Sequence, residues 1–161
     1  MPESELKVNL FLIQYCRILA GDIADERLAE QPLPAVNHPA WILGHLACTA
    51  GIGVTRLGGE TVFPAEWEPR FIPGSKLSAT RDDYPSKEAL LGAVEKGFER
   101  LRQTVSGASS EQLSQPTTHP RMKAALPTVG DSVAFLLTGH LGLHLGQLST
   151  WRRMIGLPPL F

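Results

Sequence analysis

The apolar positions of this chain recur at helical spacing in four stretches. Leu6, Leu10 and Ile13, flanked by Leu12, Tyr15 and Leu19, outline a first helix from about Ser4 to Ala20, and Gly21 supplies its stop. A second opens at Asn37, a favourable N-cap, with Pro39 in its first turn. It runs through "AWILGHLACTAGIGVTRL" to the Gly58–Gly59 pair. A third starts at Ser86 and runs to about Ser106. The fourth starts at Thr128, with Asp131 three residues on as a capping-box variant, and stops at Gly156 ahead of Pro158 and Pro159. No stretch alternates at period two for long, so the fold expected is all-α, a four-helix bundle in one domain, 1–161.

The connections change that picture in one respect. Segments 21–36, 58–85 and 107–127 are all long, which permits crossovers and parallel neighbouring helices. The 58–85 segment carries four prolines and the aromatics Phe63, Trp67, Phe71 and Tyr84. A segment of that length is expected to pack rather than float. We expect it to cover the open end of the bundle and wall a pocket, with Trp67 or Phe71 close to a substrate.

Charge and cysteine content narrow the function classes. Fifteen Lys plus Arg against sixteen Asp plus Glu leave a formal net charge of −1. No basic excess attracts nucleic acid or anionic lipid. Two cysteines, Cys16 and Cys48, cannot build a disulfide scaffold. The N-terminus lacks a signal pattern, and histidines interrupt the most apolar runs before they reach the length of a bilayer span. A soluble protein of the reducing cytoplasm is expected, with no nucleic-acid or membrane partner.

The stretch "GHLGLHLGQLSTWRR", residues 139–153, carries the candidate chemistry. On a helical wheel at about 100° per residue, His140 and His144 fall within the apolar face of Val133, Leu136, Leu137, Leu148 and Trp151. Gly139, Gly142 and Gly146 fall on the opposite side. Two imidazoles at i and i+4 can converge on one metal ion. They can equally be core histidines, each bonded to a neighbour. Of the other histidines, His45 points inward from the second helix with Trp41, Ile42, Thr49 and Ile52. His38, seven residues earlier on that face, is about 10.5 Å away along the axis and cannot share the ion. It reads as a partly exposed first-turn residue, and His119 as a surface residue of a Pro-rich loop. That leaves His45, His140 and His144.

Three further features have two readings each. Gln147 sits at the edge of the histidine face, where it would hydrogen-bond a ligand histidine or form an ordinary polar flank. Cys48, three residues after His45, would be either a fourth ligand closing the site or a small buried hydrophobe. The glycine strip would let another backbone approach, either a helix of this chain or the same helix of a second copy. Arg152 and Arg153 suit the C-terminal end of the helix dipole.

The pair "NHPAWILGHL" and, about a hundred residues on, "HLGLHLGQLSTWRR" resembles the DinB superfamily over nearly the whole chain. The resemblance implies a four-helix bundle of up-down-down-up topology. It implies a divalent cation, nickel or zinc, on His45, His140 and His144. It further implies a frequent homodimer, which with the glycine strip places the fourth helix near the expected interface. The superfamily includes thiol-dependent S-transferases and a mycothiol-dependent maleylpyruvate isomerase, alongside members without an established reaction. Expected from the resemblance is therefore a metal-dependent enzyme that uses a low-molecular-weight thiol on a small electrophile. Its rivals are a non-catalytic metal-binding bundle and a metal-dependent hydrolase.

Overall fold

The computed structural model describes residues 3–34, 36–118 and 123–160. His119 lies outside the described residues. In chain order the helices are α1 (Glu3–Gly21), α2 (Pro39–Arg56), the short α3 (Glu68–Phe71), α4 (Lys87–Gly107) and the short α5 (Ser110–Ser114). A last long helix is made of α6 (Val129–Phe135), a π-helical turn (Leu136–His140) and α7 (Leu141–Met154). The capping box at Thr128 is present: its hydroxyl accepts from the Asp131 N–H, and the Asp131 carboxylate accepts from the Thr128 N–H. α4 starts where expected, and the Ser86 hydroxyl caps it by accepting from the Ala89 N–H. The expected cap at Asn37 moves by one residue, because His38 is the N-cap of α2 and its Nδ1 accepts from the Trp41 N–H at 3.2 Å. Gly156, at φ +84°, turns the chain after α7 in a conformation that glycine adopts without strain.

The helix directions follow from who meets whom. Asn9 reaches Leu137 while Asp22 reaches Arg152, so α1 runs parallel to the last helix. Gly97 lies against Ala47 and Ala50, and Leu101 against Gly53, so α2 and α4 are parallel. Arg17 meets Glu95 while Asn9 meets Arg102, so α1 and α4 are antiparallel. Trp41 faces His144 while Arg56 faces Ser132, so α2 opposes the last helix. The result is up-down-down-up, which the long connections allow.

α2 is the central helix and is buried nearly all round. Its small residues set how close α4 comes: a Cβ at Gly97 would sit 3.3 Å from the Ala50 Cβ and 3.5 Å from the Ala47 carbonyl oxygen. On α1 the stripe shifts from the expected one. Leu19 is buried as expected, but Leu10 is 47% exposed, and Asn9, Cys16 and Ala20 are buried instead. Arg152 also departs from expectation. Its side chain is buried, pairs with the Asp22 carboxylate through both terminal nitrogens, and donates to the Leu19 carbonyl at 2.8 Å. It ties α7 to the end of α1 rather than ornamenting a helix terminus.

The π-turn has a signature in the burial pattern. Ser132, Val133, Leu136 and Leu137 are buried before or within it, and Leu141, Leu145, Leu148, Trp151 and Arg152 after it. On a straight wheel these two sets do not share a centre. The buried stripe steps round by about 100°, one residue's worth, across the turn that ends at His140. Among the described residues, no helix is long and apolar enough to cross a membrane.

Candidate metal centre

His45 from the middle of α2, His140 from the end of the π-turn and His144 from α7 converge at the bundle's interior. One ligand nitrogen from each lies within 4.8 Å of the others. Ring centroids are 5.3 Å apart for His45 and His140, 4.7 Å for His45 and His144, and 4.6 Å for His140 and His144.

Hydrogen bonds set the tautomers of two rings. His45 Nδ1 lies 2.7 Å from the Phe71 carbonyl oxygen. A carbonyl only accepts, so Nδ1 carries the proton and Nε2 keeps its lone pair. His144 Nδ1 lies 3.1 Å from Gln147 Oε1, and the same logic leaves its Nε2 free. The Asn37 amide donates to that same Oε1 at 3.1 Å, which holds the Gln147 side chain in place. His140 differs: its Nδ1 is buried and has no hydrogen-bond partner. A buried imidazole nitrogen without a partner is costly in an apolar layer, and an ion would satisfy it.

Burial dominates the protonation of the cluster. It lowers His140 to about 3, with further lowering from His144 and His45. It lowers His144 to about 4, with His45 adding and Gln147 opposing. His45 is shifted down by burial as well, partly offset by the Phe71 carbonyl. All three are therefore neutral near pH 7, the form that ligates metal. Three neutral imidazoles are a donor set that suits a divalent ion.

The same shifts carry a stability prediction for the metal-free protein. His38 is also lowered, to about 4, by burial. Below the ordinary histidine value of about 6.5 the unfolded chain takes up protons that the folded chain refuses. Stability then falls as pH drops from about 6.5 towards 4. The urea midpoint of chelator-treated protein is expected to fall steadily between pH 7 and pH 4.5. A midpoint unchanged over that range would contradict the burial of neutral rings.

The remaining residues singled out in the sequence find places around this centre. Segment 58–85 does reach it, through the Phe71 carbonyl on His45. The Phe71 ring is itself buried, against Tyr84, Trp67 and Phe63. Trp67 touches Phe71 edge-on and lines a groove with Val62, Pro64, Ala89 and Lys96. Cys48 is outside the converging set and lines a separate cleft of about 170 Å³ with Phe63 and Glu68. Its place outside that set fits the reading as a small buried hydrophobe, and burial pushes its thiol up to about 11. His38 is not the partly exposed residue expected. It is fully buried, and with Nδ1 accepting from Trp41 its Nε2–H donates to the Tyr84 hydroxyl at 3.2 Å.

Two neighbours of the cluster take roles beyond the sequence reading, in which Trp41 only shares the inward face of His45. Trp41 stacks on His45 with centroids 4.5 Å apart and planes within 8°, held there by its indole N–H bond to Ser75. Its spacing of four residues before His45 is the available signal. Gly44 is the other: a Cβ there would fall 2.1 Å from the Phe71 ring, so only glycine leaves room for the segment that orients His45.

The fold and site together define a class: an all-helical bundle with a buried three-histidine cluster shared between its second and last long helices. Residues 13–148 match the sequence model of the DinB superfamily, and the chain belongs to that superfamily. No curated protein and no solved structure matches it.

Proposed function

We propose that His45, His140 and His144 hold one divalent ion, nickel or zinc, and that the protein is a metal-dependent enzyme joining a low-molecular-weight thiol to a small electrophile. The orphaned Nδ1 of His140, together with two rings whose tautomers leave Nε2 unprotonated, is the observation that carries the metal, and the thiol reaction rests on the superfamily resemblance. When bound, an ion on three neutral nitrogens keeps a coordination position open and favours the thiolate form of a thiol. The chain's own residues supply orientation. Phe71 and Gln147 fix the tautomers of His45 and His144, Asn37 steadies Gln147, and Trp41 covers the face of His45. Trp67, which lines an open groove, is proposed to wall the substrate side, with the buried Phe71 ring behind it.

Metal analysis of purified protein is expected to find about one ion per chain. A panel of thiols with a chloro-nitroaromatic acceptor is then expected to show thiol-dependent turnover that chelation abolishes. An ion without any thiol reaction would favour the non-catalytic bundle. Chelator-sensitive hydrolysis without thiol would favour the hydrolase.

We also propose a homodimer through the outer face of α7. Its glycines do not seat another helix of this chain: a Cβ at Gly142 or Gly146 would meet nothing within 4 Å. Leu143, 63% exposed, and Met154, 39% exposed, lie on the same outer side. Exposed Thr150 and Arg153 share this side, so a second copy would cover a low-relief face of mixed polarity. Sedimentation at micromolar concentration is expected to report about twice the 17.5 kDa chain mass, and Gly142→Leu to give folded monomers. A wild-type monomer removes the dimer.

A further inference from the structure

Asn9 is a polar side chain fully buried on α1, far in sequence from the histidines. Its Nδ2 donates to the Leu137 carbonyl oxygen at 2.7 Å, inside the π-turn. In a regular α-helix that carbonyl would pair with the Leu141 N–H. Here the Leu141 N–H goes to the Thr138 oxygen instead. The displaced carbonyl needs a donor in the core, and Asn9 is that donor.

The orientation of Asn9 is itself fixed. Arg102 on α4 donates from a terminal nitrogen to Asn9 Oδ1 at 2.7 Å. A guanidinium has donors only, so it selects the oxygen and turns the amide nitrogen towards Leu137. Arg102 is half-buried without a carboxylate at that contact, and burial lowers its pKa. The relay from α4 through α1 to the π-turn therefore crosses three helices and ends one turn before His140. The π-turn steps the buried stripe by about one residue, letting Leu141, Leu145 and Trp151 pack inward while His140 still faces His45.

We propose that Asn9, oriented by Arg102, is a positioning residue of the metal centre: it holds the π-turn that places His140 against His45 and His144. This rests on the metal reading above. It assigns the distant α1 helix a part in a site whose ligands all come from α2 and the last helix.

Cobalt(II) is the probe, read by its absorption spectrum and by chelator competition. His144→Ala tests the metal reading alone. Asn9→Ala removes the donor to Leu137. Asn9→Asp keeps the volume and the Arg102 contact but turns an acceptor towards the carbonyl. Both Asn9 variants are expected to bind cobalt(II) about 10- to 100-fold more weakly, with an altered spectrum. Cys16→Ala, a buried truncation on the same helix, controls for general destabilisation and is expected to keep wild-type affinity and spectrum. Wild-type cobalt(II) binding in both Asn9 variants would overturn the proposal. A crystal structure of metal-free Asn9→Ala gives a readout independent of any ion. Loss of the π-turn and displacement of the His140 ring are expected. Retention of both would overturn the proposal even if the wild type binds metal. A displaced ring in a protein that binds no cobalt(II) would uphold the positioning role and defeat the metal reading instead.

Discussion

Replacing His144 with alanine is expected to remove stoichiometric metal while leaving a helical circular-dichroism spectrum. The ring is one of three converging donors, and its loss leaves two, too few to complete a tetrahedral site with one open position. The affinity loss should exceed the roughly 10- to 100-fold that follows from removing an outer hydrogen-bond partner of a ligand. Gln147→Ala supplies that smaller comparison, because Gln147 touches His144 and is not itself a donor in the set. Folding itself should survive, since alanine removes a buried polar ring and adds no strain. Thermal melts distinguish the two contributions. With free ion at about 100 times the dissociation constant, the wild type should gain about 2.7 kcal/mol of stability and the variant none. Full metal retention in both the His140 and the His144 single alanine variants would end the three-histidine assignment.

Gly44→Ala is expected to damage stability and metal binding together. The added methyl would lie 2.1 to 2.4 Å from three atoms of the Phe71 ring. That ring cannot simply rotate away, because Tyr84, Trp67 and Phe63 surround it. Overpacking of this kind costs about 1–3 kcal/mol. A loss of that size corresponds to a fall in melting temperature of about 2–4 °C per kcal/mol for a chain of this length. Moving Phe71 also withdraws its carbonyl from His45 Nδ1, so metal affinity should weaken in the same variant. Gly92→Ala on α4 is the control. A Cβ there meets nothing within 4 Å, and helix propensity predicts a gain of up to about 1 kcal/mol. If Gly44→Ala melts and binds metal like the wild type, segment 58–85 does not orient His45.

The candidate centre is largely legible in the sequence because its signals are local. His140 and His144 share a face by spacing alone, and His45 sits inside an apolar helix where few other roles suit an imidazole. Gln147 is legible at the edge of that face for the same reason. Phe71 is legible only as an aromatic; its backbone oxygen, which does the orienting, has no signature in a side-chain sequence. Trp41 is legible as a neighbour of His45 on one helix face, but its anchor at Ser75 is not, and Gly44 escapes altogether, because both depend on a segment that lies well beyond α2 in the chain.

Local periodicity and capping chemistry determined the long helices, the start at Ser86, the cap at Thr128, and the histidines that could meet. These depend on contacts three or four residues apart, which any helix must make. The tertiary structure decided the rest. Asn37 yields the cap to His38 because Tyr84 arrives to take the other ring nitrogen of His38, while Gln147 draws the Asn37 amide away. Arg152 is buried because Asp22 and the Leu19 carbonyl come from another helix to receive it. The π-turn hides from a wheel drawn through the last helix, because each half keeps its own regular stripe and the step between them shows only when burial is known. Its displaced carbonyl has a partner only because the parallel packing of α1 brings Asn9 alongside, a contact across 128 residues that no local pattern encodes.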